Sequence, residues 1–223
     1  GYYYISAQQP TVSASEVYQI KATPDKASVS VTIEVKNASA EIAQSTAQEI
    51  NKAFVSDLRA KGVDENSVKT ISVNVAPNWV YDMRGSRQEG YVSTISLSVE
   101  ISDFKQVGKV VDSAVQAGAY VYGINFELSQ AKQNEYKTQA LSAAGKDAMA
   151  KAEATASGLG KKLGGLVSVE NQEFNYYPYP MYARAGTSMA EDNSAAQKVA
   201  MNVNPSDIDV SASINVVYRT ALF

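Results

Sequence analysis

Carboxylates close enough in the chain to act together stand at Asp64-Glu65, at Glu191-Asp192 and at Asp207 with Asp209. Such pairs serve as acid and base in glycoside hydrolysis or hold a hard cation such as calcium, and each chemistry demands a particular separation or ligand spacing. None of these pairs has it. Asp64-Glu65 sits in a turn before an extended run, and Asp207 and Asp209 share the polar side of an alternating one, as in a solvated face. Arg84 and Arg87 in a polar turn could grip an anion, but they serve the solubility of an exposed turn equally well. The glycines of Gly158-Leu159-Gly160-Lys161-Lys162-Leu163-Gly164-Gly165 follow a helical pattern, whereas a phosphate-binding loop must precede a helix, so they read as a helix stop. The chain contains no His and no Cys. Ser-His-Asp and Cys-His nucleophiles are therefore excluded, along with the ordinary zinc, haem, blue-copper and iron-sulfur ligand sets. The residues assign no catalytic position, no metal site and no cofactor. Asp, Glu, Tyr and Lys can still perform acid-base chemistry without His, so a small-molecule binding or hydrolytic module stands as the alternative to a binding protein.

The densest chemistry-bearing stretch is aromatic. Phe174-Asn175-Tyr176-Tyr177-Pro178-Tyr179-Pro180-Met181-Tyr182 places five aromatic rings in nine residues, against 9% for the whole chain. Aromatic side chains bury large areas at modest entropic cost, and prolines stiffen the segment. Phe174, Tyr176, Tyr177, Tyr179, Met181 and Tyr182 are accordingly the candidate interface, for a partner or for a second copy of the chain. The competing expectation is a loop folded back to cover its own sheet. Met181, Met189 and Met201 would suit a sacrificial antioxidant role if exposed, because thioethers oxidise to sulfoxides.

Elements must position these residues, and composition bounds which. A chain of 223 residues, 45% hydrophobic and 19% charged, supports a core in one or two domains. A net charge of -3 and a pI near 5.1 give no basic surface for phosphate neutralisation, which argues against nucleic-acid binding. Gly1-Tyr2-Tyr3-Tyr4-Ile5 before a polar run to Pro10 reads as an N-terminal tail over residues 1–10 with two equal expectations, a plain mobile tail or the remnant of a signal or anchor, the second of which would bring the protein near a membrane.

Val29, Val31, Ile33 and Val35 alternate with polar residues and predict a strand. A weaker strand over Val12–Ala22 is expected to form a hairpin with it through Thr23-Pro24-Asp25-Lys26. Ile42, Ala43, Thr46, Ala47, Ile50, Phe54 and Leu58 predict a helix over 39–61, stopped by Gly62. Two more alternating runs, at Ile71–Val75 and Ile95–Ile101, should pair antiparallel. Asp103 with Gln106 has capping-box spacing for a helix ending at Gly118, followed by a strand over Tyr120–Leu128. The order β-α-β-β-α-β predicts an α+β fold with a ferredoxin-like antiparallel sheet and both helices on one face. An Ala-rich helix over Gln130–Leu159, with Ala140, Ala144, Ala148, Ala152 and Ala156 every fourth residue, and strands at Leu166–Glu170 and Ile208–Tyr218 complete the pattern. Residues 172–204 are expected to be a long aromatic-rich insertion loop, with a short strand or helical turn at Ser194–Val199.

In order and spacing, several segments resemble the SIMPL domain. They are Pro24-Asp25 entering a strand, Leu58-Arg59-Ala60-Lys61-Gly62-Val63 closing a helix, Lys69-Thr70 and Gly90-Tyr91 opening strands, and Gly118 before Tyr120. Ala140-Leu141 in the Ala-rich helix and the terminal Val210-Ser211-Ala212-Ser213-Ile214 complete the match. The resemblance covers Val12 to Tyr218, making residues 11–223 one SIMPL-like domain. That family, long classed as a domain of unknown function, includes periplasmic and outer-membrane immunogenic proteins of Gram-negative bacteria. The resemblance implies a secreted or membrane-anchored envelope protein without an established catalytic residue, loosely associated with oxidative-stress tolerance or protein interaction. Together with the aromatic segment it gives the expectation of a non-enzymatic envelope protein that forms a homo-oligomer, ring or channel-like, and contacts other envelope proteins.

Overall fold

Alternating apolar residues give strands one wet and one dry face, and the dry faces here must be covered by helices. A computed structural model describes residues 9–183, 188–201 and 203–221, with the side chains at 172, 173, 179, 181–183 and 189 left aside. Of the expected tail at 1–10, positions 1–8 lie outside the described residues. In chain order the elements are β1 (Thr11–Ala22), β2 (Lys26–Asn37), α1 (Ala40–Ala60), β3 (Val68–Asp82), β4 (Gly85–Ile101), α2 (Val107–Ala117), β5 (Tyr120–Glu127), α3 (Gln130–Gly158), β6 (Lys162–Tyr176), β7 (Tyr179–Ala183), α4 (Met189–Ala200) and β8 (Ile208–Ala221). The chain forms two compact units and passes between them after Thr23, Glu127, Tyr177 and Ser206.

The unit holding β2 to β5 carries the expected ferredoxin-like arrangement. Its sheet has the order β3-β4-β2-β5-β7, with β2 antiparallel to both β4 and β5, so that Val31 lies opposite Leu97 on one side and Val121 on the other. Val29, Val31 and Ile33 are buried with Ile95, Leu97 and Val99 against Phe54 and Leu58 of α1 and Val107, Val110 and Val111 of α2. Phe104 meets Phe126 edge-on at 5.1 Å. Ser39 caps α1 by accepting from the Ile42 N–H. Gly62 and Gly118, at φ +80° and +85°, follow α1 and α2 in the left-handed conformation expected of helix stops. Asp103 departs from the expected capping box. Its carboxylate accepts from the Lys105 N–H at 3.0 Å and opens a 3-10 turn that runs into α2, while Gln106 makes no capping bond.

In the other unit the sheet order is β1-β8-β6. The alanine stripe of α3 is buried throughout, and its Ala144, Ala148, Ala152 and Ala156 pack with Val12 and Ala14 of β1 and Ile214 and Val216 of β8. Methyl side chains let the helix approach the sheet closely, which is why the stripe recurs every fourth position.

Two expectations are corrected. β1 and β2 share no hairpin, although the Pro24-Asp25 connection is present: β1 pairs antiparallel with β8, Val12 opposite Tyr218 and Ile20 opposite Val210. Alternation fixes which face of a strand is dry and is silent about its neighbour. Residues 172–204 do not form one long loop, because β6 runs to Tyr176, β7 pairs with β5, and α4 occupies Met189–Ala200. The α4 helix begins with a capping box in which the Ser188 hydroxyl accepts from the Glu191 N–H and Glu191 returns a bond to the Ser188 N–H.

Candidate interaction surface

The aromatic segment is divided by the fold. Phe174 and Tyr176, at the end of β6, pack partly buried against Ala22, Leu128, Ile208 and Val210, their rings 6.3 Å apart. The Tyr176 hydroxyl accepts a hydrogen bond from Gln133 Nε2 of α3 at 2.9 Å, which ties the strand end to the helix. Both residues therefore cover their own sheet. Tyr177 is 80% exposed in the turn that joins β6 to β7. The backbone of β7 pairs with β5, placing Tyr179 opposite Phe126 and Tyr182 opposite Ile124; the side chains of Tyr179, Met181 and Tyr182 lie outside the described residues. β6 and β7 are the end strands of their respective sheets, so each has one side unpaired within its own sheet.

The carboxylate pairs are taken up structurally. Asp64 caps a short 3-10 turn by accepting from the Asn66 N–H, and Glu65 pairs with Arg59. Glu191 belongs to the α4 cap and Asp192 is buried. Asp207 accepts from the Thr23 hydroxyl at 2.9 Å, and Asp209 pairs with Lys21. Among the described residues no cluster of three metal-ligating side chains occurs, and no helix is long and apolar enough to cross a membrane. An open groove of about 400 Å³ between α3 and β6 is lined by Gln130, Gln133, Asn134, Lys137, Asn171 and Phe174. It has amides and one amine but no carboxylate, so its lining supplies hydrogen bonds without a general acid-base pair.

Two polar constellations were missed in the sequence. Asn193, buried on α4, accepts from the Val121 N–H at 3.1 Å and donates to the Ala119 carbonyl at 3.2 Å, clamping α4 to the start of β5. Lys61 reaches Asp57 at 2.7 Å, Ser113 at 3.1 Å and Gln116 at 3.3 Å, joining α1 to α2. Its hydrogen bond, followed by that of Ser113, holds the Asp57 carboxyl below the usual carboxylate range.

One unit with a split ferredoxin-like sheet and an appended strand, and another whose sheet is covered by an alanine-striped helix, define an α+β protein. The chain belongs to the SIMPL family, described as a protein of unknown function (DUF541), which it matches over residues 11–218. It is 27% identical over 192 residues to the uncharacterized protein YggE of Edwardsiella ictaluri, covering 84% of this chain and 79% of that one. Identity to YggE of Escherichia coli K12 is 26% over 172 residues, 77% and 70% of the two chains. The 26 kDa periplasmic immunogenic protein of Brucella melitensis is 25% identical over 225 residues, covering 96% of this chain and 86% of its own.

Proposed function

We propose that this is a non-enzymatic protein of the cell envelope that self-assembles and contacts other envelope proteins through exposed Tyr177 and the open strand edge of β6 that leads into it. The observation that carries the reading is Tyr177, 80% exposed in the turn between two strands that each end a sheet. Unpaired strand edges invite pairing with another chain, and an exposed tyrosine beside them is a suitable anchor. A head-to-tail contact of this kind uses two different patches and closes into a ring when the rotation between subunits permits, which would enclose a channel-like space. The periplasmic name of the Brucella relatives supports an extracytoplasmic location. The association with oxidative stress draws support from Met83 and Met201, both strongly exposed and open to oxidation; the side chains of Met181 and Met189 lie outside the described residues.

Sedimentation of the full chain at micromolar concentration tests the assembly. An oligomer is expected, weakened by Tyr177→Ser by about 2 kcal/mol, roughly thirtyfold in dissociation constant, if Tyr177 is a hot spot. Tyr176→Ser is a poorer probe because that ring packs in its own unit. A wild-type monomer, or an oligomer indifferent to Tyr177→Ser, overturns the reading.

A further inference from the structure

The outer half of the β3–β4 hairpin runs beyond the strands that accompany it in its sheet. Pairing of β2 with β4 ends at Asn37 opposite Tyr91. Beyond it only Trp79–Asp82 and Gly85–Gln88 pair with each other, closed by Met83-Arg84. Gly90 marks the departure: its φ is +69°, and a Cβ there would stand 2.4 Å from the Asn37 carbonyl oxygen, so only glycine allows the chain to leave the sheet at this point.

The arm has two chemically opposite faces. Because side chains alternate and Trp79 lies opposite Gln88 and Tyr81 opposite Ser86, one face carries Trp79, Tyr81, Ser86 and Gln88, all uncharged. The other carries Val80, Asp82, Arg87 and Glu89, and there Arg87 pairs with both Asp82 and Glu89. Trp79, Tyr81 and Met83 are 52%, 77% and 106% exposed and belong to none of the buried clusters. The Arg84 guanidinium at the turn makes no ion pair among the described residues. Strand addition along β3 is a poor use of this arm, since Pro77 lacks an N–H and the register slips at Thr70/Ser72 and Pro77/Trp79. What remains is insertion of side chains.

We propose that the uncharged face of this arm docks on a phospholipid bilayer, with Trp79 and Tyr81 at headgroup level, Met83 at the acyl boundary and Arg84 on lipid phosphate. Amphipathic aromatic rings favour that level. The four residue-to-residue steps from Trp79 to Met83 span about 13 Å at ~3.3 Å per step, enough for a tilted arm to traverse the roughly 5–10 Å that interfacial segments penetrate. Ion pairing on the opposite face leaves Arg84 as the charge that complements an anionic surface. The inference rests on the envelope location proposed above and is independent of self-assembly through Tyr177.

Trp79 is the sole tryptophan of the chain, so its fluorescence reports on the arm alone. Full-length protein is titrated with vesicles of phosphatidylcholine and phosphatidylglycerol at three to one, with and without brominated phosphatidylcholine. A blue shift and bromine quenching are expected. Tyr81→Ser with Met83→Ser should weaken partitioning at least tenfold with an unchanged circular dichroism spectrum, and Arg84→Gln should weaken it on these vesicles more than on pure phosphatidylcholine. Absence of quenching at millimolar lipid overturns the proposal. So does a blue shift that appears without lipid and tracks protein concentration, which would assign the arm to a second copy of the chain. An oligomer indifferent to Tyr177→Ser with bromine quenching retained overturns the assembly reading and supports this one, whereas quenching absent from a protein whose oligomer Tyr177→Ser dissolves overturns this one alone.

Discussion

Asn193 does with one side chain what a strand does with its backbone, satisfying a donor and an acceptor at the start of β5. Removing it leaves both backbone groups buried without a partner, so Asn193→Ala is expected to cost about 1–3 kcal/mol in urea denaturation. Asp57 acts at the surface between helices and its effect depends on pH. Its carboxyl is held below the usual range by Lys61 and then Ser113, so its contribution is fully present above the unfolded carboxylate range and is lost as pH falls through the folded value. Between about pH 5 and pH 2 the denaturation midpoint of the wild type should therefore fall more steeply than that of Asp57→Asn. Neither residue was legible in the sequence, because a buried amide and a helix-surface carboxylate are spelled like any polar surface residue. The α4 cap was legible in principle: Ser188 and Glu191 have the spacing of a capping box, and only the small polar composition around them suggested a loop.

Elements set by local periodicity were legible and elements defined by distant partners were not. The stripe from Ala140 to Ala156 announced both the helix and its close packing, and alternation in β2 and β4 announced the dry face that α1 and α2 cover. Val31 and Leu97 sit opposite each other at its centre, almost wholly buried. Val31→Asp or Leu97→Asp would bury an unpaired charge at a cost of at least about 3 kcal/mol. Loss of a cooperative thermal transition is the expected readout, and a folded, cooperative Val31→Asp protein would show that this face is not the core. By contrast, Pro77 reads in sequence as the end of a strand, yet β3 continues through a register shift to Asp82. Proline is tolerated there because β3 is an end strand and the register shifts immediately after Pro77. Trp79 and Tyr81 are hidden from the sequence for that reason, beside the more crowded aromatic run from Phe174 to Tyr182.

Across the whole molecule, the two units differ in how they are assembled from the chain. The ferredoxin-like β2 to β5 segment is contiguous, whereas the other sheet joins the first described strand to the last, Thr11 opposite Arg219. The aromatic run read as one patch because it is continuous in sequence, and the fold divides it at Tyr177, where the chain passes between units. Contacts between distant residues form late, since the intervening chain must first be closed into a loop. Pulsed hydrogen exchange during refolding should therefore find the β2, β4 and β5 amides protected before those of β1 and β8, and simultaneous protection would show that the units fold as one. In the cell this becomes an ordering in time. As the chain emerges into the compartment where it folds, β1 waits without its neighbour, and the sheet it belongs to stays open until β8 has followed, so a chain interrupted before Ile208 keeps an unfinished edge that chaperones and proteases can recognise.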